Sequence, residues 1–298
     1  MLDIETRGDY HISYREETMK KTMLVAILCF GLALSASAAS FSIKVNGGAN
    51  LLFGGDYNKI VDGLNHPMYG PLPMSVSGEI KKLSFALDFG AEFILNFSDR
   101  MGLGLGVGYL TATNESSITA SIMILSESFT ITPSVSAFPI TLNFHYNLPF
   151  SPTFRATVTA GPGLYIASFN FENHFVVPFI LTDVTETFDA GTKLAVGVQG
   201  GLGLEYDITP SVSITFDVLG RLASLSDLVG THALSGMILG ITGSVSAQNH
   251  TFWYFEENGQ PQYSIQQNPP SGAGRINVRE ASISLSGLCA MIGVKVDL

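Results

Sequence analysis

The residues best equipped for chemistry are ten charged side chains on the polar side of alternating apolar and polar segments. Five are cations and five are carboxylates: Lys44, Arg155, Lys193, Arg221 and Lys295 against Asp88, Glu92, Glu205, Asp217 and Asp297. A buried charge is tolerated only beside a partner, so segments that enclose one narrow interior would pair these groups across it. The sequence therefore predicts a paired charge network. A charge-lined pore for ions is the alternative.

The sequence contains no motif typical of a metal site or of a nucleophilic enzyme. The six histidines form no HxxxH or HExxH pair, and they are His11, His66, His145, His174, His232 and His250. No GxSxG nucleophile motif is present. We therefore predict no metal, no cofactor, no catalytic residues and a protein that is not an enzyme.

The segments that carry the charges alternate as β-strands do. Between residues 192 and 207 the even positions hold Leu194, Val196, Val198, Leu202, Leu204 and Tyr206, whereas the odd positions are mostly polar or glycine. A strand sorts such residues onto two faces, whereas a helix scatters them around its circumference. The same sorting recurs in seven other segments, which predicts eight strands.

Composition and loop order predict where these strands lie. The chain is 46% apolar and only 13% charged, and it has no run long enough for a membrane-spanning helix after residue 39. The connections alternate between short (98–100, 147–152, 208–210) and long (roughly 55–81, 113–127, 170–191, 224–283). This order is typical of outer-membrane barrels, which have short periplasmic turns and long outer loops. We predict an all-β fold, namely a closed antiparallel transmembrane β-barrel of eight strands with long extracellular loops.

The amino-terminal residues predict export. Residues 19–39 combine two lysines, an apolar stretch and small residues before a cleavage position, as a signal peptide does. Residues 1–18 are rich in acids, which is wrong for the leading region of a signal, so we interpret them as a mis-called extension. The barrel domain is then residues 40–298. The net charge of −10 argues against a nucleic-acid partner.

Two stretches resemble small outer-membrane barrels of the OmpA, OmpX and OmpW type. One is "TFRATVTAGPGLY" (153–165), followed by the segment 195–218. The other is the carboxyl-terminal strand, in which Gly293, Val296 and Leu298 resemble the signal read by the barrel-assembly machinery. The resemblance favours the OmpW type and implies location in the outer membrane, with lipid and the assembly machinery as partners.

The long connections carry the functional hypotheses. Residues 170–191 are unusually apolar, with Phe175, Val176, Val177, Phe179 and Ile180, and exposed apolar patches usually mark binding surfaces. We expect them to bound a hydrophobic opening at the barrel mouth, where small hydrophobic molecules bind or pass, or to fold over that mouth. The alternatives are a closed scaffold whose loops recognise host surface molecules, and a small-conductance porin.

Two further alternatives stay open at this point. Residues 236–248 and 276–286 either extend the strands above the membrane or form a further pair in a ten-stranded barrel. A few small outer-membrane barrels modify lipid A with histidine and serine, and such a role would use His174, His232 and His250.

Overall fold

The computed structural model describes residues 40–65, 75–122 and 125–298. The predicted extension (1–18) and signal peptide (19–39) lie outside the described residues. The described residues form one α-helix, α1 (Asp56–Leu64), one short 3-10 turn (Pro178–Ile180) and fifteen strands. The strands are β1 (Ser40–Leu52), β2 (Ser75–Gly78), β3 (Phe85–Asn96), β4 (Met101–Thr113), β5 (Ser116–Ile122), β6 (Leu125–Pro149), β7 (Phe154–Val177), β8 (Thr182–Thr209), β9 (Val212–Leu225), β10 (Val229–Ile238), β11 (Ile241–Glu257), β12 (Gln260–Gln266), β13 (Arg275–Glu280), β14 (Ile283–Ser284) and β15 (Gly287–Asp297).

Eight of the strands close into a ring. Hydrogen bonds join β1, β3, β4, β6, β7, β8, β9 and β15 in that order, and every pair is antiparallel. The ring closes because β15 also pairs with β1, with Ile43 opposite Val296. The predicted eight-stranded antiparallel barrel is confirmed. Residues 236–248 and 276–286 lie outside the ring, so the ten-stranded alternative is wrong.

The outer wall of the ring is an apolar belt. On β8, Leu194, Val196 and Leu202 are each more than 60% exposed, and the other predicted outward residues of this strand are exposed too. Equivalent exposed residues occur on the other seven ring strands, for example Phe89 on β3 and Ile292 on β15. Such a continuous apolar exterior is stable only in lipid, which agrees with the predicted membrane-spanning barrel.

The long strands change their inner and outer faces part-way along. On β6 the inner face holds Asn143 and His145 near the short turns, but Val135 and Ile131 farther along. Its outer face changes from exposed Phe144, Leu142 and Ile140 to a run of serines and threonines at 136, 134, 132 and 130. An apolar outer face suits lipid, whereas a polar outer face over an apolar interior suits water. β6 therefore leaves the membrane near residue 138 and continues into the extracellular space.

The extracellular half has a hydrophobic core of its own. Phe252 of β11 is fully buried, and the rings of Phe169, Phe171, Phe188 and Tyr263 surround it with centroids 5.4–5.8 Å away. Helix α1 covers this core and packs against β12. Among the described residues no helix is long and apolar enough to span a membrane.

Two expectations about the connections are corrected. Residues 170–191 are not a loop, since they form the end of β7, the 3-10 turn and the start of β8. The core is covered by α1 and not by this segment. Leu83 is apolar but does not face lipid, since β3 begins only at Phe85 and Leu83 is 1% exposed within the extracellular core.

Candidate functional site

The barrel interior holds an ion pair at the level where the polar lumen meets the extracellular core. Arg221 Nη2 donates to Asp88 Oδ2 over 2.8 Å, and both side chains are 5% exposed. The guanidinium also lies 5.5 Å from the centre of the Tyr165 ring. Arg221 reaches Asp88 across the lumen, since β9 and β3 are separated by β15 and β1 in the ring. This pair is the uppermost layer of the charge network.

A second layer surrounds Glu92. Its carboxylate accepts from Asn143 Nδ2 at 2.7 Å and lies 3.0 Å from His145 Nε2. Lys44 Nζ sits between this carboxylate and Asp217, at 3.6 and 3.4 Å. Space for the layer comes from β4, because a Cβ at Gly104 would lie 2.2 Å from Glu92 Oε1. The inward glycines of β4 therefore make room for the charge network.

A third layer lies beside the short turns. Lys295 Nζ is 2.7 Å from Glu205 Oε1 and 3.4 Å from Asp297 Oδ1. Arg155 pairs with both Glu205, at 3.0 Å, and Asp207. Below this layer a polar vestibule of about 590 Å³ opens at the turns.

The three layers leave little free space in the lumen. The cavities beside them measure about 60 and 20 Å³, and a single water needs roughly 10–15 Å³ on this measure. The larger cavity therefore has room for a few waters. It is too small for a sugar or an alkyl chain to pass.

Nine of the ten predicted network residues come together in these layers. Lys193 does not, since it is half-buried beside the extracellular core and forms no ion pair with the described residues. The prediction left out His145, Asn143 and Asp207. All three could have been predicted, because the alternation of β6 and β8 places each of them on the polar, inner face of its strand.

The predicted apolar segment lies at the far end of the extracellular half. Phe175, Val176 and Val177 are half-buried at the end of β7, whereas Phe179, Ile180 and Leu181 are exposed at the hairpin turn. Beside them lies the turn of the β10–β11 hairpin, with exposed Ile238, Leu239 and Ile241. The Gly240 amide donates to the Leu181 carbonyl over 3.2 Å and joins the two turns. We refer to residues 178–181 and 237–241 as the apolar tips.

A buried aspartate fastens α1 to the extracellular core. Asp56 is 3% exposed, and its carboxylate accepts from Arg279 Nη2 at 2.6 Å and from the backbone amide of Ser282 at 3.1 Å. Arg279 also lies 4.0 Å from the centre of the Tyr254 ring. Burial raises the pKa of the neighbouring Tyr57, whose hydroxyl has no hydrogen-bond partner among the described residues.

Two of the described extracellular histidines pair with carboxylates. His174 pairs with Asp183 and His232 with Glu186, each at 2.8 Å, and the His232 and His250 rings lie 5.3 Å apart. None of them hydrogen-bonds to a serine or cysteine in the described part of the chain. Within the same ranges, no group of three or more His, Cys, Asp or Glu side chains is placed to hold a metal ion.

The predicted assembly signal lies on the last strand. Val296 and Leu298 are exposed on the outer wall, whereas a Cβ at Gly293 would lie 2.5 Å from the Val45 carbonyl oxygen. The Leu298 amide donates to the Phe41 carbonyl over 2.8 Å, next to the β15–β1 seam that closes the ring.

Residues 23–238 match the family described as "Outer membrane protein beta-barrel domain". The chain is similar to the outer membrane protein OprG from Pseudomonas aeruginosa, with 11% identity, coverage of 88% of this chain and 96% of that chain, and a TM-score of 0.37. It is similar to the outer membrane protease OmpT from Escherichia coli, with 9% identity, coverage of 87% of this chain and 96% of that chain, and a TM-score of 0.37. It is also similar to Neisserial surface protein A, with 12% identity, coverage of 88% of this chain and 100% of that chain, and a TM-score of 0.30. No curated protein matches the chain. Such identities and scores carry no information on what this chain binds.

Proposed function

We propose, from the premise that this chain belongs to the outer membrane protein β-barrel domain family and lies in the cell outer membrane, that it is a closed anchor for a folded extracellular domain. The membrane-spanning ring fixes the chain in the bilayer. The extracellular half then presents its surface to molecules or surfaces outside the cell. In this proposal the role is one of recognition and is not enzymatic.

The observation that carries the proposal is the change of faces along the ring strands. Within the membrane the lumen is occupied by paired charges such as Arg221 and Asp88, at 2.8 Å. Above the membrane the same space is filled by the aromatic core around Phe252. A transport pathway along the axis would have to disrupt both the charge layers and the aromatic core. In a rigid extracellular domain, in contrast, both stabilise the fold.

The test combines conductance with surface binding. In planar bilayers the purified protein should give no stable conductance steps, because both fillings lie on the barrel axis. Cells that display the protein should adhere to a host or matrix surface, and replacement of residues 233–248 by a Gly-Ser linker should abolish adhesion. Heat-modifiable migration on a denaturing gel would show that the linker variant retains its barrel. Stable ion-selective conductance in the wild type would contradict the proposal.

An OmpW-like role with small hydrophobic molecules is the second candidate. An apolar groove of about 720 Å³ on the lipid-facing wall favours it, with Ala160, Pro162, Gly200, Gly220 and Leu222 among its lining residues. A Cβ at Gly220 has its nearest neighbour 3.7 Å away, so Gly220→Leu can start without a clash and place its side chain in the groove. For this role, the variant should lose binding of a medium-chain alkyl probe. Gly243→Leu, in open space on β11, is the control and should keep it.

The barrel-assembly machinery completes the proposed set of partners. Val296 and Leu298 present their side chains on the lipid side of β15, where a recognition factor can reach them before the ring closes. The usual terminal residue of the signal that they resemble is phenylalanine. Leu298→Phe should therefore raise the fraction of protein that assembles, as measured by heat-modifiable migration.

A further inference from the structure

The apolar tips expose large hydrophobic side chains at a position where the fold alone would favour polar residues. Phe179, Leu181, Leu239 and Ile241 are 63, 60, 67 and 76% exposed. These residues lie on two hairpins that a backbone hydrogen bond joins, so they form one surface. Large contiguous apolar patches on a protein surface mark contact sites.

The backbone at the tips gives an independent reason to assign them a function. Six non-glycine residues in the described ranges have positive φ, and four of them are the expected types, Asp227, Asn249, Asn258 and Asn277. The other two are Leu181, with φ of 50°, and Leu239, with φ of 51°. A left-handed backbone disfavours leucine relative to asparagine or glycine. Each tip therefore keeps a leucine that neither its backbone nor the surrounding water favours, which indicates a role outside the fold.

The chemistry of the tips fits hydrocarbon better than a protein surface. The apolar tips themselves contain no charged side chain. The nearest charge, Asp183, lies opposite Met237 and pairs with His174 at 2.8 Å, so charge complementarity with a partner has no group to use at the tips. Two carbonyl groups of the first turn already accept backbone hydrogen bonds, Pro178 from the Leu181 amide and Leu181 from the Gly240 amide. The Ile180 carbonyl accepts from the Thr182 hydroxyl at 3.5 Å. Each backbone group that is satisfied in this way lowers the cost of entry into an apolar phase.

The membrane that the barrel spans is out of reach of the tips. On β7 the outer face becomes polar after Ile166, with Ser168, Asn170 and Glu172. Residues 167–177 then extend by about 3.3 Å each at a tilt of about 40°, which places the tips roughly 25 Å beyond the apolar belt. We propose that the apolar tips insert into the hydrocarbon of a second phospholipid bilayer that faces the cell. This inference rests on the proposed function, since it names the surface that the extracellular domain contacts.

The experiment uses the full barrel in lipid nanodiscs, mixed with phosphatidylcholine vesicles and separated by flotation. The wild type should float with the vesicles at low and high salt, because the tips have no charges to screen. Leu181→Asn with Leu239→Asn should reduce co-flotation at least tenfold. Asparagine suits the left-handed backbone at both sites, so the double variant should unfold at the same or a higher denaturant concentration. Ile276→Asn, at a residue 55% exposed on β13, is the matched control and should float like the wild type.

Equal flotation of the wild type and the double variant would overturn the inference. Nanodiscs that associate with each other through the tips but ignore vesicles would also overturn it, in favour of a second copy of this chain. Conductance of the same purified protein in planar bilayers separates the two proposals. A closed barrel that does not bind vesicles contradicts only the inference, whereas a conducting barrel contradicts the proposed function.

Discussion

At the scale of single residues, burial makes the lumen charges structural. Arg221 and Asp88 are each 5% exposed, so neither can exchange its partner for water. Arg155, in contrast, is 28% exposed beside the vestibule. Charge pairs of the same kind should therefore differ in energy according to their depth.

We expect Arg221→Ala to lower the free energy of unfolding by about 3–5 kcal/mol, because it leaves Asp88 as a buried charge without its cation. Urea unfolding in detergent, followed by circular dichroism, measures the loss. Adding Asp88→Leu should recover most of it, since the unpaired charge is then removed. Arg155→Ala is the control and should cost less, because water reaches its partners. An Arg221→Ala protein as stable as the wild type would show that the pair does not hold the upper layer.

The tyrosines packed in the extracellular core should make that half sensitive to alkali. Burial raises the pKa of Tyr57 and Tyr263, whereas the unfolded chain releases these protons near pH 10. The folded state holds the proton more tightly, so its stability is complete below about pH 10 and falls as the pH rises further. Tyr57→Phe should reduce that fall without loss of stability at pH 7, because the hydroxyl has no partner. Trp253 fluorescence during denaturation, at several pH values, provides the readout, and identical pH profiles would contradict this account.

At the scale of elements, the sequence predicted the ring but not the domain above it. Alternation assigns residues to two faces without saying which face is inside. Inside the membrane the apolar face is outermost, so Leu194, Val196 and Leu202 of β8 were placed correctly. Beyond residue 138 the sense reverses, and the serines and threonines of β6 no longer look like a lipid-facing strand. The apolar stretch around Phe175 was consequently interpreted as a loop, and the fastening of α1 by Asp56 depends on contacts 223 and 226 residues apart that no local pattern reveals.

The close contact between α1 and β12 should reverse the usual effect of replacing a helical glycine by alanine. Gly63 lies within the helix, where replacement by alanine normally stabilises by about 0.5–1 kcal/mol. Here a Cβ would lie 1.9 Å from the carbonyl oxygen of Pro261. Gly63→Ala should therefore push the helix from β12 and increase hydrogen exchange in both elements. Asp62→Ala, next to it on the exposed side, is the control and should change exchange little. A more protected helix in Gly63→Ala would show that the close contact is absent.

At the scale of the whole molecule, the chain combines two β-structures of opposite polarity on one set of strands. The lower one is polar inside and apolar outside, as lipid requires, and the upper one has the reverse arrangement, as water requires. Each fills its own interior, with charge layers below and the aromatic core above. The barrel axis is therefore blocked twice, by charge layers and by an aromatic core that meet where the Arg221 guanidinium lies 5.5 Å from the centre of the Tyr165 ring.

Because the charge layers and the aromatic core each fill the barrel, we expect that no single substitution makes the protein conduct ions. Phe252→Ala should destabilise the extracellular half by about 3–5 kcal/mol through the cavity it leaves, yet the layer around Glu92 still fills the lumen. Glu92→Gly combined with Lys44→Ala should thin that layer while the aromatic core remains. Planar-bilayer recordings should show no steps for either variant, nor when all three changes are combined, because the layers around Arg221 and Lys295 still fill the lumen. Heat-modifiable migration must first show that each variant has a folded barrel. Steps from Phe252→Ala alone would mean that the charge layers leave an open path, which the cavities of about 60 and 20 Å³ do not provide.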